Sequence, residues 1–172
     1  MIEVYRSIIP SSKILDDNKG QHYKTMQGKM QYLSNQTRLM IEGFKEGPGK
    51  FKIPDKKIIT EITDKKPFVV LFELWKVADL KFDVQNYMKT FKAPVDVFSN
   101  EGYWEDDNWS CFSPVILNGG SRNVWNRAYR YENDNLPDEL SYEWWKKEGA
   151  EIYDTMIRIL VSNNPLKYFN RI

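Results

Sequence analysis

Pro67 opens the run Phe68-Val69-Val70-Leu71-Phe72-Glu73-Leu74-Trp75, and no other stretch of the chain restricts its fold so strongly. A strand with one face in water alternates apolar and polar residues. This run is apolar almost throughout, so both of its faces need cover. It therefore reads as a central strand in a layered domain that has helices to pack on it. Residues 2–9, with Val4, Ile8 and Ile9, read as a first strand that stops at Pro10-Ser11-Ser12. From about Thr25, the residues Met26, Met30, Leu33, Thr37, Met40, Ile41 and Phe44 follow helical spacing, which Gly43 and Gly47-Pro48-Gly49 end. The lysine-rich residues 45–66 read as an irregular excursion with a short strand near Ile58-Ile59.

A second helix is expected just after Asp83, carrying Tyr87, Met88 and Phe91, and broken or kinked at Pro94. Residues 109–117 and 124–131 read as strands, with Gly119-Gly120 as a turn between them. Leu136-Pro137-Asp138-Glu139 opens a predicted long helix with Trp145, Ile152, Met156 and Ile159 on one face, stopped by Asn163-Asn164-Pro165. The expected fold class is α+β: a mixed β-sheet with packed helices over residues 1–135, and an appended C-terminal helix within 136–172 packed on the same domain. Trp144-Trp145 would pack that helix on the sheet or on a dimer partner. Its acidic bias at Asp138, Glu139, Glu143, Glu148 and Glu151 disfavours DNA and leaves docking of a protein partner open.

The chain has 172 residues, 41% hydrophobic and 15% aromatic, enough to bury a core without cross-links and too apolar for general disorder. Its net charge is only +1, so a nucleic-acid partner would need a local basic face. One cysteine, Cys111, excludes an intramolecular disulfide framework and reads as a small buried residue. The single histidine, His22, gives little support to a catalytic dyad or a zinc site and is expected in the loop before the first helix. No signal-peptide pattern or membrane-length apolar run is seen, and the expected location is the cytoplasm.

Two segments concentrate chemistry. Asp83-Val84-Gln85-Asn86-Tyr87-Met88-Lys89 offers an acid, two amides and a lysine, and Gly102-Tyr103-Trp104-Glu105-Asp106-Asp107 ends in adjacent carboxylates. If residues 83–85 are extended, Asp83 and Gln85 share a face. If they are helical, Asp83, Asn86 and Lys89 fall at i, i+3 and i+6. Carboxylates drawn from two segments are a usual means of holding Mg²⁺ against a phosphate. Each segment also has a plainer reading, with Asp83 as a helix N-cap and residues 105–108 as an ordinary polar turn.

In order and spacing the two segments resemble the RusA family of Holliday junction resolvases, which carry D-x-D-N-x-x-K followed by a glycine-aromatic-aromatic-x-D-D turn. Ile8-Ile9-Pro10-Ser11-Ser12-Lys13 and His22-Tyr23-Lys24-Thr25-Met26-Gln27-Gly28-Lys29 extend the resemblance, which covers roughly residues 2–118 and more weakly reaches 131. It implies a metal-dependent endonuclease, usually a homodimer, that nicks opposite strands of a four-way DNA junction, as in phage-encoded enzymes. The implied catalytic residues are Asp83, Asp107 and Lys89. The implied ligands of Mg²⁺, or of Mn²⁺, are Asp83, Asp107 and Asp106, with Glu73 and Gln85 as further candidates. Gln85 stands where the family has an acid, so the alternative is a degenerate module that binds branched DNA or a protein without cutting. A three-residue insertion around Lys92-Ala93-Pro94 is a second departure. Candidate DNA contacts are Lys13, Lys24, Lys29 and Lys81, with Arg122, Arg127 and Arg130 interleaved with Trp125 and Tyr129. Those arginines would equally serve as charges that defend an edge strand.

Overall fold

The computed structural model describes residues 1–15, 22–44, 51–76, 88–108, 110–121, 142–151 and 153–164. Asp83, Gln85, Asn86, Lys81, Arg122, Arg127, Arg130 and the expected strand at 124–131 lie outside them. In chain order the elements are β1 (Ile2–Pro10), a 3-10 turn (Ser11–Lys13), α1 (Tyr23–Ile41), α2 (Lys56–Thr63), β2 (Phe68–Lys76), α3 (Lys89–Asn100), β3 (Phe112–Ser121), α4 (Tyr142–Lys147) and β4 (Asp154–Ser162). The class is α+β with one mixed sheet of strand order β1-β4-β2-β3. Strand β4 is antiparallel to both of its neighbours, and β2 and β3 are parallel.

The last strand overturns the expected C-terminal helix and with it the division at residue 135. Asp154–Ser162 is not a helical extension; it lies between β1 and β2. The helix of this region is confined to Tyr142–Lys147. Trp145 packs on the sheet beside Ile8, Trp75 and Met156. The physical reason lies in Ile157, Ile159 and Val161, whose β-branched side chains suit a strand. They face one side while Met156, Arg158 and Leu160 face the other, and all six are buried.

Three smaller expectations also change. The Ile58-Ile59 segment is helical, with Ile59 and Thr63 one turn apart on the buried face of α2. Pro94 does not break α3. Its missing N–H costs about 3 kcal/mol in a helix interior, but α3 buries Phe91, Val95, Val97 and Phe98, each worth roughly 1.5–3 kcal/mol. Gly119-Gly120 is no turn either, since both residues pair with β2 inside β3.

The helices pack on one face of the sheet. Val4, Tyr5, Phe72, Leu74, Ile157 and Ile159 meet Leu33 of α1, Ile59 of α2 and Phe91, Val95 and Phe98 of α3 there. The opposite face carries a buried charge network as well as the Trp145 cluster. Arg158 of β4 lies 3.2 Å from Glu3 and 3.4 Å from Glu73, Trp75 Nε1 donates to Glu73 at 3.2 Å, and Arg6 pairs with Glu3.

Candidate functional site

The second motif begins as a helix stop. Gly102, at φ +75°, takes the left-handed position just after α3. The Gly102 N–H donates to Ser99 O at 3.0 Å and the Tyr103 N–H to Phe98 O at 2.9 Å. That bond pair closes a helix C-terminus and commonly comes with an apolar contact between the same outer residues. Here the Tyr103 and Phe98 rings meet edge to face, 4.9 Å between centroids. Trp104 follows into the core, 5.0 Å from Phe98 and 5.6 Å from Phe112. The motif's aromatics are therefore anchors for the turn. Thr63 Oγ1 donates to Tyr103 O at 2.6 Å and Lys56 Nζ to Glu101 O at 2.6 Å, so α2 holds the turn from outside.

The three acids that follow go to three destinations. Glu105 pairs with Lys66. Asp106 folds back on the turn, accepting from the Asp107 N–H at 2.8 Å and from Asn108 Nδ2 at 2.7 Å. Asp107 reaches α3, where Lys92 Nζ donates to its Oδ2 at 2.7 Å. Lys92 also pairs with Asp96 at 2.8 Å, one turn further along the helix. The hydrogen bond from Lys92 holds the Asp107 carboxyl below its ordinary pKa, and the two acids push the Lys92 ammonium up to about 12.

Lys89 lies three residues before Lys92 and is exposed, so the two lysines occupy one side of α3. The end of the first motif and the end of the second therefore meet. Lys92 was missing from the expected site although its spacing from Lys89 was visible in the sequence. It falls in the stretch that reads as an insertion. Beside the pair opens a cavity of about 200 Å³, lined by Phe72, Met88, Phe91, Val95, Phe112 and Val115 as well as Lys92 and Asp107.

Glu73 is not part of this site. Phe72 lines the cavity, and its neighbour Glu73 points to the opposite sheet face, engaged by Arg158 and Trp75. Among the described residues no three His, Cys, Asp or Glu side chains cluster as metal ligands. His22 caps α1, its Nδ1 accepting from the Lys24 N–H at 3.4 Å, and Cys111 is buried. Of the expected DNA contacts, Lys24 is exposed, Lys13 sits 5.0 Å over the Tyr32 ring, and Lys29 Nζ is tied to Ile14 O at 3.1 Å. The next residue, Leu15, donates its N–H to Thr90 Oγ1 at 3.1 Å, which binds the Lys13 segment to the first turn of α3. No helix among the described residues is long and apolar enough to cross a membrane.

Comparison of the chain with protein-family models, with curated proteins and with solved structures finds no match.

The Lys92–Asp107 pair has a pH signature. Because the Asp107 pKa is lowered, the pair stays intact through the ordinary carboxylate range and opens only as pH falls through that lower value. Its upper limit is the loss of charge from Lys92 at about 12. Lys92→Met moves the Asp107 midpoint upward toward its ordinary value, as followed by carboxyl-carbon NMR. An unchanged midpoint would show that Lys92 does not hold Asp107 in solution.

Proposed function

We propose that the chain is a metal-dependent endonuclease of the RusA type, acting as a homodimer on four-way or otherwise branched DNA. The observation that carries this reading is the 2.7 Å contact between Asp107 and Lys92, which joins the ends of the two motifs on the side of α3 that also bears Lys89. The Lys13 segment, bound to Thr90, adds positive charge at the same end of the helix.

The donor chemistry suits a hard cation. Mg²⁺ is commonly bound by one or two carboxylates, its remaining positions taken by water and substrate phosphate. Asp107 would supply one carboxylate and Asp83, in the first motif, the other. Asp106 is committed to its own turn and Glu73 to the other sheet face. When bound, the metal polarises a phosphodiester and lowers the pKa of a bound water. The chain's own contribution is to orient Asp107 through the Gly102 helix stop and to offer Lys89 to charge developing on the phosphate.

One observation favours a second reading, a module that binds branched DNA without cutting. Lys92 already supplies Asp107 Oδ2 with a cation, and Gln85 removes an acid from the first motif. Incubation with a synthetic four-way junction in Mg²⁺ and then Mn²⁺ separates the two. The nuclease reading expects paired nicks, reduced more than about 100-fold in Asp107→Asn, since losing even an outer partner of a metal ligand costs roughly 10–100-fold. Tight junction binding without nicks in either metal would establish the binding module instead.

A further inference from the structure

We propose that the cavity beside Asp107 receives a single unstacked nucleobase from the branch point of the bound DNA; this rests on the branched-DNA reading above. Size argues first. About 200 Å³ is below the roughly 300–1,000 Å³ of a site for a drug-sized ligand, so the space suits one planar ring system and not a whole nucleotide.

The lining argues next. Phe72, Phe91 and Phe112 are almost fully buried and form an apolar floor, with the Phe72 and Phe91 rings 4.9 Å apart. Aromatic rings bind the faces of bases with little regard to sequence. Lys92, Asp107 and Val115 are the exposed members and make the rim. Across that rim an ammonium donor and a carboxylate acceptor stand 2.7 Å apart. A nucleobase edge presents the complementary pattern: the exocyclic amine of adenine or cytosine donates, and the adjacent ring nitrogen accepts. Asp107 would take the amine hydrogen and Lys92 would donate to the ring nitrogen.

A simple apolar ligand would leave this rim without a counterpart, and a phosphate would leave the aromatic floor unused. A base drawn from a branch point meets both requirements. Extraction also costs least where pairing and stacking are already interrupted. Lys89, on the same side of α3 as Lys92, lies where it would meet the phosphate of the inserted nucleotide.

Two measurements on the whole protein test this. In the first, deoxycytidine and deoxyadenosine are titrated while the Val95 and Val115 methyl groups are followed by NMR; saturable shifts at these methyls are expected. In the second, 2-aminopurine is placed at the branch of a four-way junction, and its fluorescence is expected to rise at saturating protein. Val115→Phe fills the cavity from its exposed side. It should remove the rise and weaken junction binding roughly 5- to 100-fold, the range for one lost base–aromatic stack. Junction binding with neither methyl shifts nor brightening would overturn base insertion and leave the branched-DNA reading standing. Failure to bind the junction would overturn both, whatever the free nucleosides do.

Discussion

Arg158→Met is expected to lower the unfolding free energy by about 3–5 kcal/mol, the cost of removing one partner from a buried ion pair. Arg158 and Glu73 are 5% and 6% exposed, and they face each other across the β4–β2 ladder. Arg6 lies directly opposite Arg158 on β1, so two like charges share one buried sheet face, and Glu3 and Glu73 compensate them. Without the Arg158 guanidinium, the Glu73 carboxylate keeps only Trp75 Nε1 as a donor in this network. For a chain of this length the loss corresponds to a Tm drop of roughly 6–20 °C. The double variant Glu73→Gln/Arg158→Met should recover most of it. A glutamine carbonyl still accepts from Trp75, no buried charge is left alone, and a neutral replacement for a buried pair is often tolerated. Urea unfolding of the two single variants and the double variant closes the cycle. A loss below about 1 kcal/mol for Arg158→Met would mean that the network does not carry buried charge.

Gly119→Ala is expected to cost about 3 kcal/mol or more. Gly119 sits opposite Leu74 in the parallel β2–β3 ladder with φ +156°. A Cβ added there would lie 2.0 Å from the Leu74 carbonyl oxygen and 2.9 Å from its carbon. Both are backbone atoms of a buried strand, so no flexible side chain can yield. Strand β3 would have to lift away from Leu74–Lys76, giving up ladder bonds worth roughly 0.5–1.5 kcal/mol each. Hydrogen exchange should show lost protection over residues 117–121 while β1 and β4 keep theirs. Unchanged protection with stability within about 0.5 kcal/mol of wild type would show that β3 accepts a side chain here.

How much of this was legible in the sequence depended on whether an element is determined locally. The β2 run and the α1 stripe carry their own patterns, and both stand where those patterns put them. Strand β4 was misread because Trp145, Ile152, Met156 and Ile159 fall at spacings of 7, 4 and 3, which imitate a helix face. A strand buried on both sides has no alternation to contradict that, and only its β-branched Ile157, Ile159 and Val161 mark it. The site shows the same division. The sequence located Asp107 and Lys89, whereas the Lys92–Asp107 contact depends on how Gly102 turns the chain out of α3. Glu73 was misassigned for a related reason. Which side of a sheet a residue faces follows from its register with β4, and β4 was taken for a helix.

The position of β4 also sets the order in which the molecule can be assembled. Ser11 and Thr155 hydrogen-bond across 144 residues of chain, so the β1–β4 pairing is among the most distant in sequence, the kind that slows folding. During synthesis β1 and β2 are complete long before the strand that separates them exists. The roughly 86 residues from Lys76 to Ser162 take about 4–17 s at ~5–20 residues per second. Through that interval two apolar strands have open edges and no native neighbour to close them. Newly made chains should therefore depend on chaperones more than their size alone suggests. Deleting residues beyond 135 would leave β1 and β2 in that unfinished condition permanently.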